Sequence, residues 1–368
     1  MKIICVHQSA DMYGSDRSFL QVIKYFNQSG DFEKITVILP RSGPLVAELE
    51  KLGVDIIYMN LSLLSKTYLM KLQWGKIIFP LFSFNSKRKL YNQYDVVYVN
   101  TSVILDFYLL APFLKQMKVI HIREIPNKFL SKVLSFLLKC AGSKIIFNSN
   151  STLNSFKKLD RSFVVHNAFE GFSKEFTTAI EERPDGLLHV LLIGRINGWK
   201  GQDFAIEALT KIRSSRVLLR IVGSTSLGNE GLVDELKKKV EKLGLTAQVE
   251  FLDFVSDTAG IYAWSDVVIV PSTKPEPFGR IAIEAMSLYR PVIAANHGGL
   301  PEIVENAVSG FLFEPNNMDS FVAALTNYID DRKLLQQHGL NAKRVFDEKF
   351  SLNGFYQKID SVFKSEMV

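Results

Sequence analysis

Val267-Val-Ile-Val-Pro-Ser-Thr-Lys-Pro-Glu-Pro-Phe-Gly-Arg-Ile-Ala-Ile-Glu-Ala-Met286 joins an aliphatic run, a proline-rich loop and a segment of helical period. Val267–Val270 is apolar at every position, the pattern of a strand covered on both faces. Pro271, Pro275 and Pro277 cannot continue a ladder or a helix interior, so a loop follows, and a helix opens near Phe278. Strand, loop and helix in that order form the repeating unit of a parallel α/β layer.

The same unit recurs on both sides. Upstream, Ile3–Val6, Ile35–Leu39, Val54–Met59, Val96–Asn100, Val119–Ile122, Lys144–Asn148 and Phe163–His166 read as buried parallel strands, with helical stretches such as Arg17–Asn27 between them. The rhythm breaks between Ala168 and Gly186, where Glu, Lys, Thr, Pro and Gly replace aliphatics. A second series follows: Val190–Gly194, Leu218–Gly223, Val249–Phe251, Val267–Val270, Pro291–Ala294 and Gly310–Phe313. The expected fold class is therefore α/β, two Rossmann-like doubly wound domains at 1–170 and 187–346, with a linker at about 171–186. Ligands in such sheets lie beyond the carboxyl ends of the strands, here expected in a central cleft.

Ordinary hydrophobic (47%) and charged (22%) fractions exclude disordered and fibrous classes. The net charge of +6 is unevenly spread: residues 1–180 carry 23 Lys/Arg against 13 Asp/Glu, and residues 181–368 carry 21 against 25. Cys5 and Cys140 are too few for a disulfide framework and point to a reducing compartment. The first residues read as a strand, not a signal peptide, and no run approaches the roughly 20 apolar residues of a bilayer span. Membrane contact is expected to be peripheral.

Four stretches carry candidate chemistry. In the opening one, unpaired amides at the helix N-terminus favour a diphosphate, and Gly279 lets the backbone approach it. Glu276 precedes the helix and Glu284 lies two turns along it, about 12 Å apart if both were helical. That spacing suits a ligand with a sugar at one end and a nucleoside at the other; the alternative is a dipole partner and a solvated carboxylate. Gly194-Arg195-Ile-Asn-Gly-Trp-Lys200-Gly201 puts a guanidinium and an ammonium at a strand end, suited to phosphate oxygens or simply flanking a turn. Gly14, in Asp11-Met-Tyr-Gly-Ser-Asp-Arg-Ser18, opens a helix after the first strand. His121-Ile-Arg-Glu124 ends another strand, where a histidine can meet a hydroxyl or stay structural. Gly298-Gly299 before Pro301-Glu302 reads as a tight turn into a helix. No cluster has zinc spacing, and neither a nucleophile elbow nor a dinucleotide fingerprint is present.

Together these motifs resemble the retaining glycosyltransferases of family 4, with the GT-B fold, over almost the whole chain. The strongest match is Glu276-Pro-Phe-Gly…Glu284-Ala-Met, then Pro291-Val-Ile-Ala and Gly298-Gly-Leu-Pro-Glu302, with Gly194-Arg195…Lys200-Gly201 as the phosphate pair. Tyr13-Gly14-Ser15-Asp16-Arg17 is similar to a Gly-Gly-Ala-Glu-Arg loop, with Tyr13 in place of the first glycine. The resemblance implies an acceptor-binding N-terminal domain, a donor-binding C-terminal domain, and a tail at about 347–368 packed back on the former. It implies Arg195 and Lys200 on the donor diphosphate, Glu284 on the ribose and Glu276 on the donor sugar. The backbone after Phe278 would meet phosphate or sugar, and His121 would reach the transferring sugar. It implies a nucleotide-diphosphate sugar as donor and no metal or other cofactor. Arg280 stands where the family is usually aliphatic, and is either an extra phosphate contact or solvent-facing. A sugar-nucleotide epimerase or hydrolase on the same fold, or an inactive membrane-bound partner subunit, are the alternatives.

Two acid-free segments mark the acceptor side. Between Asp55 and Asp95 lie Lys66, Lys71, Lys76, Lys87, Arg88 and Lys89, interleaved with Trp74, Phe79, Phe82 and Phe84. Between Glu124 and Asp160 lie Lys128, Lys132, Lys139, Lys144, Lys157 and Lys158, over a segment (129–139) of amphipathic pattern. With Arg123, these cations suit anionic headgroups and a glycan or lipid-linked acceptor at the inner face of the cytoplasmic membrane; the alternative is a solvated basic face. No nucleic-acid motif accompanies the charge.

Overall fold

The computed structural model describes residues 1–64, 75, 83–173, 175, 180, 186–212, 216–225 and 231–365. Two compact units emerge: Met1–Asn167 with Phe355–Val368, and Ala168–Gly354. The boundaries differ slightly from the sequence expectation of 170/171 and 346/347. Aromatic packing is the reason. The Phe169 amide donates to the Phe350 carbonyl at 3.1 Å, its ring meets Phe172 and Phe346, and Phe350 meets Phe278. These contacts hold 168–170 and 347–354 in the second unit.

The first unit contains β1 (Lys2–His7), β2 (Lys34–Leu39), β3 (Asp55–Tyr58), β4 (Val96–Asn100), β5 (Met117–Ile122), β6 (Lys144–Phe147) and β7 (Ser162–Val164). They form one parallel sheet in the order β3-β2-β1-β4-β5-β6-β7. Register brings His7 opposite Asn100 and Asn100 opposite His121, so three polar residues line up at the carboxyl edge where the strand order reverses. The tail seals this unit: Asp360 accepts from the Tyr25 hydroxyl at 2.9 Å, Phe363 packs edge-on against Phe26, and Lys144 Nζ donates to the Val362 carbonyl at 2.8 Å. Lys144 is thus a buried structural cation.

The second unit contains β8 (Leu188–Ile193), β9 (Val217–Val222), β10 (Val249–Leu252), β11 (Val267–Val270), β12 (Val292–Ala295) and β13 (Gly310–Phe313), in the order β10-β9-β8-β11-β12-β13. Because strand side chains alternate, one run feeds two cores. Val190, Leu192, Val267, Ile269 and Ile293 enter one apolar cluster. Leu191, Val268, Val270, Val292 and Ala294 enter the other, under the helix Arg280–Ser287. This is why these runs are apolar throughout. All thirteen strands expected from the sequence are present.

Lys87 departs from its expected place on a basic surface. It is 1% exposed, paired with Asp106, and donates to the Asn60 carbonyl at 2.8 Å. Burial pushes the Asp106 carboxyl up from its usual range, against the pull of Lys87. The pair holds the helix Phe84–Tyr91 to the helix Leu105–Leu110 and offers no cation to a partner. Arg88 and Lys89 are exposed; Lys66, Lys71 and Lys76 lie outside the described residues. Among the described residues no helix is long and apolar enough to cross a membrane.

Candidate active site

In the second unit the reversal of strand order falls between β8 and β11, and the loops leaving these strands carry the site. Three glycines let the loops approach. A Cβ on Gly201 would stand 2.0 Å from the Pro271 carbonyl oxygen, and one on Gly298 would stand 2.2 Å from that of Glu276. Gly279, at φ +110°, ends the loop 271–279, and a Cβ there would strike Leu300 at 2.5 Å. Two bonds zip the loops after β11 and β12 together: His297 Nε2 donates to the Ser272 carbonyl, and the Gly299 amide to the Glu276 carbonyl, each at 2.8 Å.

That scaffold places Glu276 in the loop and Glu284 in the helix. Glu276 Oε1 accepts from Lys200 Nζ at 2.5 Å and from the Ser272 hydroxyl at 2.6 Å. Lys200 is held in turn: the Asn197 carboxamide accepts from the amides of Trp199 and Lys200, and the Trp199 ring lies 4.5 Å from the ammonium. Arg195 is exposed at the end of β8, its carbonyl accepting from Gln202. Glu284 Oε1 accepts from Arg280 Nε at 2.7 Å and Oε2 from the Tyr262 hydroxyl at 2.8 Å. Arg280 therefore lies along its own helix, its guanidinium also reaching the Ala168 carbonyl and the Phe169 ring, and does not face solvent. The Phe278 side chain is buried in the core, so only its backbone is available to a ligand.

The first unit builds a separate polar cluster at its own reversal point. His121 is fully buried, with Nδ1 2.8 Å from the Tyr98 hydroxyl and 3.2 Å from an Arg123 nitrogen. Burial, reinforced by the Arg123 charge, drives its pKa well below the usual imidazole value, so the ring is neutral. Arg123, expected among the membrane cations, is instead 7% exposed and bonded to Asn100 Oδ1 at 2.7 Å and to Asn167. Its side chain falls on the same strand-end face as His121, two residues away, which turns it inward. Glu124 ties down the neighbouring loop through Thr101 and Ser102. Thr101 adopts φ +135°, a strained conformation for a β-branched residue.

Gly14 begins the helix Gly14–Ser29, and a Cβ there would meet nothing within 4 Å, so space and not packing distinguishes this position. Asp16 in the same loop is buried and accepts from His7 Nε2 at 2.7 Å, from Ser9 and from the Tyr13 amide. Burial works to raise the Asp16 carboxyl, yet His7, Ser9 and Tyr13 together hold it below its ordinary value. Sequence reasoning missed Ser272, Tyr98, Asn100 and His7. Only the last two carried a signal: polar residues ending otherwise apolar strand runs. Among the described residues no group of three or more His, Cys, Asp or Glu is placed to hold a metal ion.

Residues 173–345, which contain Arg195, Lys200, Glu276 and Glu284, match the family model of the glycosyl transferases group 1. Over this segment, a little under half of the chain, the protein is similar to that family. An uncharacterised glycosyltransferase of Methanocaldococcus jannaschii is 29% identical over 219 residues, 56% of this chain and 55% of the relative. The match thus spans about half the length of that relative. The human alpha-1,3/1,6-mannosyltransferase ALG2 is 28% identical over 307 residues, 73% of this chain and 72% of its own. Among solved structures, Anabaena HepE in complex with UDP and glucose superposes with a TM-score of 0.83 at 24% identity, covering 99% of this chain and 100% of its own. At that identity the likeness is one of fold: two parallel Rossmann-like sheets, as in the GT-B glycosyltransferases.

Proposed function

We propose that this chain is a member of the glycosyl transferases group 1 and a retaining glycosyltransferase that moves a sugar from a nucleotide-diphosphate sugar to a glycan or lipid-linked acceptor. Its product belongs to a cell-surface polysaccharide, lipopolysaccharide or glycolipid. The observation that carries this reading is the Lys200–Glu276 contact at the strand-order reversal, inside the matched domain and on loops locked by glycines. A leaving diphosphate gains charge as its bond to the sugar breaks. Arg195, Lys200 and the N-terminus of the helix Arg280–Ser287 meet that charge with donors already in place. Glu276 has Oε2 left for a sugar hydroxyl, and Glu284, held by Arg280 and Tyr262, keeps lone pairs for ribose. For retention, the acceptor oxygen bonds to the anomeric carbon on the face the diphosphate leaves, and the acceptor proton passes to a phosphate oxygen. HepE was solved with UDP and glucose, so a uridine nucleotide is the first donor to try. The test is product formation: labelled sugar should move from a sugar nucleotide to a lipid or glycan extract in an acceptor-dependent way. Hydrolysis or isomerisation of the donor without transfer would exclude it.

The enzyme works against the inner face of the cytoplasmic membrane. Supporting this, the helix Lys128–Ala141 exposes Phe129 (76%), Val133 and Phe136 (66%) at one helical face, beside Lys128, Lys132 and Lys139. The neighbouring helical turns add exposed Leu109 and Phe113, and Lys157 and Lys158 lie on the segment bonded to Ser131 and Ser135. Among the described residues this patch, and not Lys87 or Arg123, is the basic apolar surface of the unit. Each cation near an anionic bilayer contributes about 1 kcal/mol. Phe129→Ser with Phe136→Ser should abolish sedimentation with anionic vesicles while transfer to soluble acceptors persists; equal sedimentation of variant and parent would contradict it.

A further inference from the structure

A buried hydrogen-bond chain runs through the first unit from the loop after β1 to His121. It can be read without ambiguity, because it ends on a group that only donates. A guanidinium has no acceptor, so the Asn100 oxygen that faces Arg123 Nε at 2.7 Å must be the carbonyl oxygen. The Asn100 NH₂ is then turned to His7 Nδ1 at 2.9 Å. His7 Nδ1 accepts, which leaves the His7 proton on Nε2, where it donates to the Asp16 carboxylate. The same guanidinium faces His121 Nδ1 through NH2. That nitrogen must accept too.

Tyr98 cannot make this choice alone. Its hydroxyl, 2.8 Å from His121 Nδ1, donates or accepts with equal ease. Arg123 decides, because it offers Nδ1 nothing to donate to. The consequence lies on the other side of the ring. His121 Nε2 is buried with no hydrogen-bond partner, and the tautomer makes it an N–H. A buried donor left unpaired carries the cost of its lost hydration, which a ligand oxygen reaching it recovers.

We propose that Arg123 is a positioning residue that fixes His121 as the Nε2–H tautomer, so that His121 meets a ligand oxygen as a hydrogen-bond donor and not as a base. The charged and titratable groups that bear on the ring are Arg123 from its own strand end and Tyr98 from β4; Cys5 on β1 acts on Tyr98, and Asp16 and His7 join through Asn100. The tautomer assignment stands on geometry alone, whereas its use in transfer rests on the function proposed above.

The experiment is ¹⁵N-histidine NMR on the full chain, read beside kinetics. In the parent, His121 should show a protonated Nε2 and a bare Nδ1, unchanged between about pH 5.5 and 8 around the ordinary imidazole value. In Arg123→Met, Tyr98 is free to accept, the Nδ1–H form should become populated, and kcat/KM should fall on the order of ten- to a hundredfold, as when an outer-shell partner of a ligating histidine is removed. Arg123→Lys, also a pure donor, should restore the Nε2–H form and most of the activity. Tyr98→Phe should keep that tautomer, and it serves where Arg123→Met does not fold. An Nδ1–H parent, an Arg123→Met spectrum like the parent's, or loss of the tautomer in Tyr98→Phe would overturn the proposal. Failure of the parent to transfer any sugar would remove the function and leave the spectra untouched.

Discussion

Lys200→Met should lower kcat by about 10²–10³ while the chain keeps its fold, the loss expected when one preorganised donor to a developing anion is removed. Lys200 sits 17% exposed on a carboxylate only 8% exposed, in side-chain terms, 2.5 Å away. In the proposed reaction its removal would take a cation from the leaving diphosphate, and among the described residues it leaves Glu276 with Ser272 as its one remaining side-chain donor. The two effects separate by design. Glu276→Gln keeps the shape and the Ser272 bond but loosens Lys200, so its deficit should fall on the sugar: kcat drops and nucleotide diphosphate still binds as an inhibitor. Lys200→Met should weaken that inhibitor. Because the residues touch, the double variant should lose less than the product of the single losses. Lys200→Arg should rescue little, since a planar fork does not replace a point charge packed on Trp199.

Gly298→Ala should be nearly as damaging, though Gly298 bears no functional group. Its φ is +64°, and a Cβ would stand 2.2 Å from the Glu276 carbonyl oxygen and 2.5 Å from the Glu276 nitrogen. Both are backbone atoms, so the loop 276–279 must move as a body. A displacement of about 1 Å in a positioning loop costs on the order of 10² in kcat/KM. The left-handed conformation adds roughly 1–3 kcal/mol of destabilisation, read as a lowered Tm. Gly14→Ala is the contrast: nothing lies within 4 Å of its Cβ, and its Tm should match the parent's. Equal thermal and kinetic behaviour of the two variants would mean that the 298–276 contact does not set the site.

What the sequence made legible was local. Apolar runs such as Val267–Val270 announce strands buried on both faces, and their alternation with helical periods announces a parallel sheet. Glu276 and Glu284 were visible because loop and helix signals bracket them. What stayed hidden depends on register and packing between distant segments. Lys87 looks like one of three adjacent cations, and only the approach of Asp106 makes it a buried pair. Arg123 looks like a basic surface residue until β4 and β5 pair and bring Asn100 beside it. Arg280 could be placed on a helix but not aimed, because its direction is set by Glu284, Ala168 and Phe169 together. Tyr262 could not be paired from the sequence: a tyrosine in an apolar helix becomes a partner of Glu284 only through the packing of that helix on Arg280–Ser287.

The acid side of the stability profile follows from the first unit's buried groups. His121 is held neutral in the folded chain, so the unfolded chain binds more protons below the ordinary imidazole value near 6.5 and stability falls as pH drops through it. Asp16, held below its usual value, contributes stability that is lost at lower pH still.

The most direct measurement is the anomeric configuration of the product. A sugar nucleotide of α configuration should be incubated with the enzyme and an acceptor extract, and the new linkage read by the one-bond coupling at its anomeric carbon. A retaining transferase gives an α-linked product, formed by the parent and lost in step with kcat in Lys200→Met. A β-linked product would contradict retention, and a free sugar or epimerised donor with no new linkage would contradict transfer itself.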